Sequence, residues 1–412
     1  MKYLKLNIHT ILIFVFIFFF LEGNSQQLET YLDEALLSNP EIQKFELQYK
    51  IASEKVNEVN NIPNTELGVG YFVSEPETRT GAQRFKVSAK QMLPWFGNIT
   101  ARENYVSSLA DSKYEDIVIA KRKLIASVSQ SYYNLYGNKA KQAILKDNIK
   151  LLKTYETLAL TSVEVGKASA VDVLRLQMRQ NEMEQLLKVL QQQFLSEQTN
   201  FNKILNREKS NNIKVIDTLF LPNEAIELNE DRLKLHPELL KFDKLYASVE
   251  QSELLNQKES SPMIGFGLDY INVNKRPNLD FSDNGKDIIM PMVSVSIPIF
   301  NKKYKSQTKQ NALQQQEISA QKQARLNSLQ ILLDKAVNDR NSARIRYETQ
   351  TKNLKQAKDA ESILIKNYET GTIDFNDVLD IQELQLKFQM NQIEAIQSYY
   401  LQTTIINYLT AY

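Results

Sequence analysis

The 412-residue sequence has no cysteine and only two histidines, His9 and His236. Without cysteine the chain forms no disulfide, has no thiol chemistry and carries no lipid-anchored N-terminal cysteine. Two isolated histidines almost exclude a histidine-based metal site. The 50 Lys and Arg residues balance 49 Asp and Glu residues, so no charge field favours nucleic acid as a partner. No nucleophile–base constellation, metal cluster or phosphate loop is found, and we predict no catalytic residue, no metal and no cofactor.

The unbroken apolar run near the N-terminus, Ile11 to Leu21, is too short for a transmembrane helix, which needs about 20 residues. Lys2 and Lys5 precede it, and Gly23-Asn24-Ser25 follows it as a small-residue cleavage site. This pattern predicts a secretory signal peptide over residues 1–25, with a signal anchor as the alternative.

Proline is missing from residues 95–221 and 299–412. Because proline breaks helix interiors, both stretches are predicted to hold very long helices. In the second stretch, steps of three and four connect apolar residues from Leu326 to Tyr368, and Arg340, Gln350 and Glu361 fill the remaining positions. This heptad pattern indicates coiled-coil packing with a wet or loosely closed interior.

The proline-containing segments alternate with a period of two. Apolar side chains alternate with polar residues or glycine in four stretches: Leu67–Val73, Phe85–Leu93, Ile264–Tyr270 and Val293–Ile297. Such stretches are typical of transmembrane barrel strands. A half-buried soluble hairpin has the same period and stays open as an alternative.

One stretch occurs twice, from Val165 to Gln177 and from Thr370 to Gln382. A Gly, an Asp, a Leu and a Gln of the first copy each recur 205 positions later in the second copy. Each copy is predicted to be a helical hairpin tip, in which glycine ends one helix in the left-handed conformation and Ser169 or Asp374 caps the next. We therefore predict two repeats, residues 26–221 with a tip near 166 and residues 222–412 with a tip near 371. Each repeat reads as a helix, two strands, a long helix, the tip and a further helix. The predicted helices are Leu28–Ile62, Asn98–Val165 and Ser169–Arg207, then Asp231–Glu259, Asn301–Glu369 and Asp374–Tyr408.

Four strands cannot close a membrane barrel, and lipid does not tolerate an open sheet edge. The predicted fold is therefore mostly α with a membrane β-barrel portion: a long coiled-coil helical barrel plus four strands per chain. Three copies would supply twelve strands, so we expect a homotrimer.

The sequence resembles the TolC-type outer-membrane factors, the outer membrane efflux protein family. The resemblance depends on the two Gly-x-x-x-x-x-Asp-Val-Leu tips and on the paired starts Asn39-Pro40-Glu41 and His236-Pro237-Glu238. It also depends on strands that run into Pro-x-Phe at Pro94 and Pro298. It implies a trimer with a 12-stranded barrel in the outer membrane of a Gram-negative bacterium and a 12-helix barrel in the periplasm. It also implies passive conduction, a periplasmic adaptor (membrane fusion) protein, outer-membrane lipid around the barrel, and an inner-membrane pump, for which the resistance-nodulation-division type is one candidate.

The resemblance also implies site residues. The adaptor-docking tips correspond to Val165, Gly166, Lys167, Ala168 and Ser169, and to Thr370, Gly371, Thr372 and Ile373. Asp377 and Asp380 match the acidic ring of the closed periplasmic entrance, and Tyr368 and Asp172 match a pair that ties neighbouring coiled coils shut. Ile373 departs from the best-known members, which have an arginine there, so this lock is weaker or built from other residues. Trp95, Phe96 and Phe300 are predicted to form a membrane-interface belt.

Three alternatives stay open. Asp377 and Asp380 are equally explained as helix-capping acids. The chain is alternatively a secreted periplasmic coiled-coil scaffold without a pore, or the duct of a type I protein secretion system. The sequence does not name the cargo, the pump or the adaptor.

Overall fold

The computed structural model describes residues 26–166, 169–222, 230–370, 372–373 and 375–410. The predicted signal peptide therefore lies outside the described residues. The chain divides into two compact units. The first, here the helical unit, comprises the described residues within 1–43, 119–236 and 326–412. The second, here the sheet unit, comprises residues 44–118 and 237–325. Each unit takes segments from both predicted repeats, and the repeat boundaries stay a prediction.

Seven α-helices occur in the described part of the chain, and two of them, α3 and α6, are 67 residues long. These two occupy the proline-free stretches, as predicted. Within the described residues no helix is both long and apolar enough to cross a membrane. The helices are α1 (Gln26–Ser38), α2 (Pro40–Val59), α3 (Asn98–Glu164), α4 (Ala170–Ile204), α5 (Pro237–Glu259), α6 (Lys303–Glu369) and α7 (Phe375–Thr410).

The prediction of one continuous helix over Leu28–Ile62 was wrong, because the chain forms α1 and α2 with a break at Asn39. A residue before proline is pushed out of the helical region by the proline ring. The Asn39 side chain then caps the new helix, since its Oδ1 accepts a hydrogen bond from the Glu41 N–H at 2.9 Å. The second half repeats the break: a 3-10 helix, Glu230–Leu235, precedes Pro237 where one helix from Asp231 was predicted.

The predicted heptad seam of α6 is confirmed within the helical unit. The buried seam residues, at steps of three or four residues or of whole heptads, are Leu329, Leu333, Ala336, Ala343 and Ala357. Arg340, a polar seam residue, is buried as well, with its guanidinium carbon 6.0 Å from the Tyr399 ring centre. The seam therefore contains charged groups among its apolar residues, as its composition predicted.

The sheet unit contains an antiparallel sheet of four main strands in the order β1-β3-β4-β5, with the two-residue strand β2 added to β3. The prediction of four strands omitted this short β2. The strands are β1 (Glu66–Tyr71), β2 (Glu77–Thr78), β3 (Gly81–Leu93), β4 (Met263–Val273) and β5 (Ile288–Ser296). β1 and β5 lie at the two edges of the sheet.

The register confirms the predicted alternation of faces. Val69 lies opposite Val87, Val87 opposite Tyr270 and Tyr270 opposite Ile289, so one face is apolar across all four strands. Most of these apolar side chains are exposed in a single chain; Val69, for example, is 82% exposed. The other face, here the polar face, contains Lys86 and Lys90 of β3, with glycine and serine on their neighbours. A monomer therefore leaves an apolar sheet surface open, as interaction surfaces do.

Candidate docking tips and gate

The first hairpin tip joins α3 to α4 as predicted. Gly166 has a φ of +72°, the left-handed conformation that ends a helix. The Ser169 hydroxyl then accepts a hydrogen bond from the Val171 N–H at 3.2 Å. The Asp172 carboxylate accepts a hydrogen bond from the Ser169 N–H at 3.3 Å, which completes a capping box. Lys167 and Ala168, also assigned to this tip, lie outside the described residues.

The second tip joins α6 to α7, and Gly371 and Asp374 lie outside the described residues there. The flanking residues are ordered by one carbonyl. The Asn367 C=O accepts from the Thr370 hydroxyl at 2.9 Å, and from the Thr372 N–H at 3.0 Å and hydroxyl at 2.8 Å. The two threonine hydroxyls thus donate hydrogen bonds to a carbonyl group of the kind that a helix end leaves without a partner in the helix.

The two hairpins share one apolar core in the helical unit. All four helices contribute to it: α3 and α4 from the first hairpin, α6 and α7 from the second. Its buried members, from α3, α4 and α7, are Leu152, Tyr155, Ala159, Val173, Leu176, Phe375 and Val378, and α6 packs Leu364, Ile365 and Tyr368 against them. The topology therefore brings the two predicted tips together within one chain.

Two residues of the predicted gate region pack against this core. Ile373 is one of them, at the position where the family resemblance led us to expect an arginine. Tyr368 is the other, and its ring centre lies 5.0 Å from that of Phe375. Ile373 therefore stabilises the second tip by apolar packing, at a position where the best-known members of the family have a charged side chain.

The three predicted gate acids have two different environments. Asp172 is buried and serves the capping box described above. Within the described part of a single chain, no hydrogen bond joins it to Tyr368. Asp377 and Asp380 lie in the first turns of α7, where both are exposed. They face solvent three residues apart, which places them on one side of the helix.

A carboxylate with two glutamines ties each hairpin together, a feature that we missed from the sequence. In the first hairpin, Glu156 of α3 accepts hydrogen bonds from Gln177 and Gln180 of α4, each at 2.8 Å. These two bonds lower the pKa of the Glu156 carboxyl below its usual value, and the bond from Gln177 has the larger effect. We call Glu156, Gln177 and Gln180 the first clamp.

The second clamp consists of Glu361 of α6 with Gln382 and Gln385 of α7. Gln385 donates to Glu361 at 2.7 Å, and Gln382 donates to the same carboxylate. Each member lies 205 positions after its counterpart in the first clamp. The repeat spacing was thus the signal that could have revealed both clamps. It relates the glutamate pair and the second glutamine pair as well as the glycine, aspartate, leucine and first glutamine that the sequence analysis noted.

The second clamp has one partner that the first lacks. The Tyr155 hydroxyl, from α3, donates to Glu361 at 2.9 Å. Burial, with the hydrogen bond to Glu361 and its negative charge, raises the pKa of Tyr155. The first and second hairpins are therefore connected through Glu361.

Two arginines of α4 add further polar links between the hairpins. Arg175 donates to the Asn376 side chain and Arg179 pairs with Glu383, both residues of α7. Arg179 is also 3.3 Å from Glu182 in its own helix. The solvent-facing side of the two hairpins is thus joined by charged and polar contacts above the apolar core.

The predicted interface belt lies in the sheet unit. Trp95 and Phe96 follow β3 and contact each other edge to face at 5.8 Å between ring centres. Phe300 follows β5 and is 97% exposed. In the described residues, no group of three or more His, Cys, Asp or Glu is arranged to hold a metal ion.

The chain is similar to one protein family and to several solved structures. The model of the outer membrane efflux protein family matches residues 31–207. No individually curated protein matches the chain. Among solved structures, the outer membrane protein VceC from Vibrio cholerae is 15% identical, with a TM-score of 0.74 over 93% of this chain and 96% of VceC.

Two other channels give similar values. CusC is 13% identical, with a TM-score of 0.76 over 93% of this chain and 92% of CusC. The open-state outer membrane channel MtrE from Neisseria gonorrhoeae is 15% identical, with a TM-score of 0.73 over 93% of this chain and 88% of MtrE. This likeness shows that the chain has the fold of these outer-membrane channels, and the family match over residues 31–207 agrees with the resemblance found in the sequence.

Proposed function

We propose that three copies of this chain form an outer-membrane exit duct of a tripartite efflux pump. The duct passively conducts small molecules or metal cations that an inner-membrane pump delivers through a periplasmic adaptor protein. The observation that carries this proposal is the sheet: its apolar face is exposed and its edge strands β1 and β5 are open. Lipid accepts such a face but not such edges, so neighbouring copies must supply the missing strand partners.

The remaining assignments extend this proposal. The sheets of three chains would form a 12-stranded barrel, and Trp95, Phe96 and Phe300 would lie at its membrane interface. The helical units would lie in the periplasm. The tips at Val165–Ser169 and Thr370–Ile373 would dock the adaptor. Asp377 and Asp380 would form the acidic ring of the closed entrance, with Tyr368 and Asp172 as a lock between neighbouring chains.

Fractionation and native mass spectrometry test the proposal together. We expect the mature protein in the outer-membrane fraction, and we expect the detergent-extracted protein to have the mass of a trimer. A soluble periplasmic pool of monomer would instead support the pore-free scaffold and overturn the duct.

A further inference from the structure

A segment without helix or strand, residues 213–220, follows α4 in the helical unit, and we call it the strap. Among the described residues, its backbone forms no hydrogen bond with another backbone group. Tyrosine hydroxyls of α1 and α3 accept hydrogen bonds from its N–H groups instead. The bonds, at 3.0, 3.1 and 3.1 Å, run from the N–H groups of Lys214, Ile216 and Leu219 to the hydroxyls of Tyr31, Tyr132 and Tyr136.

Two further side chains bind the carbonyl groups of the strap. Lys139 of α3 donates to the Val215 C=O at 2.9 Å and pairs with the Asp217 carboxylate at 2.9 Å. The Tyr400 hydroxyl of α7 donates to the Phe220 C=O at 2.6 Å. Each hydrogen bond that attaches the strap within the described residues thus involves a side chain. The strap can therefore move without breaking the hydrogen-bond ladder of a helix or a sheet.

A cavity of about 560 Å³ lies between the strap and the helices α1, α3 and α7. Small-molecule sites have volumes of about 300–1,000 Å³. The rings of Tyr133 and Tyr400 line it, with their centres 5.0 Å apart and their planes at 32°. Tyr132, Phe220 and Tyr408 add three more rings to the lining. Since aromatic rings pack favourably face to face with an offset or edge to face, these walls suit a flat aromatic guest.

The described lining contains one charged residue of each sign, Glu29 and Arg122. Both already interact with other groups of the protein. Arg122, for example, donates to the Tyr408 C=O at 3.5 Å. An ionic ligand would therefore lose its hydration without gaining a free counter-charge, and the cavity favours a neutral one.

The Tyr133 hydroxyl is available to such a ligand. It forms no hydrogen bond among the described residues, whereas the hydroxyls of Tyr132 and Tyr400 bind the strap. Burial, and to a smaller extent the neighbouring Tyr400, raises the pKa of Tyr133, so the hydroxyl stays a neutral donor. Ser129 lies four residues earlier, on the same side of α3, and adds a second hydroxyl to the lining.

We propose that this cavity binds a neutral aromatic small molecule that carries a hydrogen-bond acceptor, such as a ketone oxygen, placed at the Tyr133 hydroxyl. The strap forms one wall of the site and moves aside to admit the ligand. The inference goes beyond the duct, because the described lining belongs to the helical unit of a single chain.

Photolabelling of the intact purified protein with benzophenone tests the site. Benzophenone has two aromatic rings joined by a ketone, and light attaches it covalently to neighbouring C–H groups. Peptide mass spectrometry locates the attachment. We expect labelling that saturates with probe concentration in peptides from residues 122–133, 216–220 and 400–408. Labelling that is spread evenly over the chain, or that rises linearly in these peptides, would overturn the site.

Two variants of the lining and one control define the contacts. Tyr133→Phe keeps the ring and removes the hydroxyl, so half-saturation should need at least about threefold more probe. Ala126→Phe adds bulk to the cavity wall and should abolish saturable labelling. The control Tyr114→Phe removes the hydroxyl of an exposed tyrosine of the same helix and should change nothing. Equal half-saturation in the wild type and both lining variants would overturn the proposal, because the probe would then bind elsewhere.

Hydrogen–deuterium exchange in the dark tests the part played by the strap. At a probe concentration about ten times that of half-saturation, exchange of residues 213–220 should slow about tenfold in the wild type, because the closed strap is part of the site. The same probe concentration should leave exchange in Ala126→Phe unchanged. Tyr136→Phe removes the bond to the Leu219 N–H and should accelerate strap exchange in the absence of probe. Strap exchange that does not respond to the probe in the wild type would overturn the proposal.

Discussion

Replacing Glu361 by glutamine should loosen the second hairpin far more than the same change at Glu156 loosens the first. Glu361 accepts hydrogen bonds from three groups: the Tyr155 hydroxyl at 2.9 Å, Gln385 at 2.7 Å, and Gln382. Glutamine has nearly the same shape, but one oxygen becomes an NH₂ group. That donor would face glutamine donors, so at least one of the three bonds is lost.

The size of the effect follows from the charge of the acceptor. A hydrogen bond to a charged group contributes about 1.5–3 kcal/mol. We therefore expect Glu361→Gln to lower the free energy of local opening by about 2 kcal/mol, which corresponds to amide exchange about 30-fold faster at the end of α6. Glu156 has two glutamine partners and no tyrosine partner, and water can replace the two glutamine hydrogen bonds. Glu156→Gln should therefore accelerate amide exchange at the end of α3 less than about threefold.

Hydrogen–deuterium exchange of the intact protein measures both effects, with peptides from residues 152–164 and 361–368. Gln392→Ala serves as the control, because it removes an exposed bond of 2.8 Å to Thr351 between the same two helices. It should leave exchange at residues 361–368 unchanged. Equal and small acceleration in Glu361→Gln and Glu156→Gln would refute the reasoning, since Glu361 would then not connect the hairpins.

Three further outcomes are expected. Gly166→Pro should abolish transport in a growth-based efflux assay while the protein stays in the membrane fraction, because proline cannot adopt a φ of +72°; wild-type efflux would show that this tip does not bind a partner. Asp377→Ala/Asp380→Ala should relieve block by a trivalent cation in single-channel recordings, and unchanged block would show that both are only capping acids. The first clamp should weaken in acid. The pKa of the Glu156 carboxyl is lowered in the folded protein. The stabilisation is therefore present at pH values above the usual glutamate pKa of about 4.3 and is lost as the pH falls through the lowered pKa of the folded state. The protection factor of residues 152–164, which is the intrinsic exchange rate divided by the observed rate at the same pH, should fall between neutral and acidic pH. This fall should be smaller in Glu156→Gln, and an equal fall in that variant would contradict the prediction.

Periodic features of the chain were predictable because they depend on local geometry. The seam from Leu329 to Ala357 repeats by the helical period, and the strand faces alternate by the pleat. The conformation of Gly166 and the cap at Ser169 depend on residues within one turn. Each of these predictions agrees with the structure because no distant contact competes with the local preference.

The break at Asn39 shows where local reasoning was applied incompletely. A continuous helix from Leu28 to Ile62 would place Pro40 in its interior, where proline is unfavourable, whereas the first turn of a new helix accepts it. The restriction on the residue before proline and the capping ability of Asn39 were both readable in the sequence. Together they predict two helices, which is what the chain forms.

Side-chain partners between helices could not be predicted in this way. Ile373 packs on the shared apolar core, although its position alone indicated only a missing charge. Tyr155 reaches Glu361 from another helix, 206 positions away. Such pairs depend on the rotation of one long helix against another, and a heptad pattern determines which side faces the seam but not which residues meet across it.

The differences between the two repeats support the proposal that the gate lies at the second tip. The backbone plan and the clamps recur at a spacing of 205 positions, but the residues around them have diverged: Arg175 occupies the position that corresponds to Asp380, and Ala360 the position that corresponds to Tyr155. The first hairpin therefore presents a cation where the second presents an exposed acid. The counterpart of Asp377 in the first hairpin, Asp172, is buried, so of the two tips only the second presents two exposed acids for the proposed ring. The hydrogen bond from Tyr155 to Glu361 connects the second clamp to the first hairpin, so a movement of the end of α6 away from α3 has to break it.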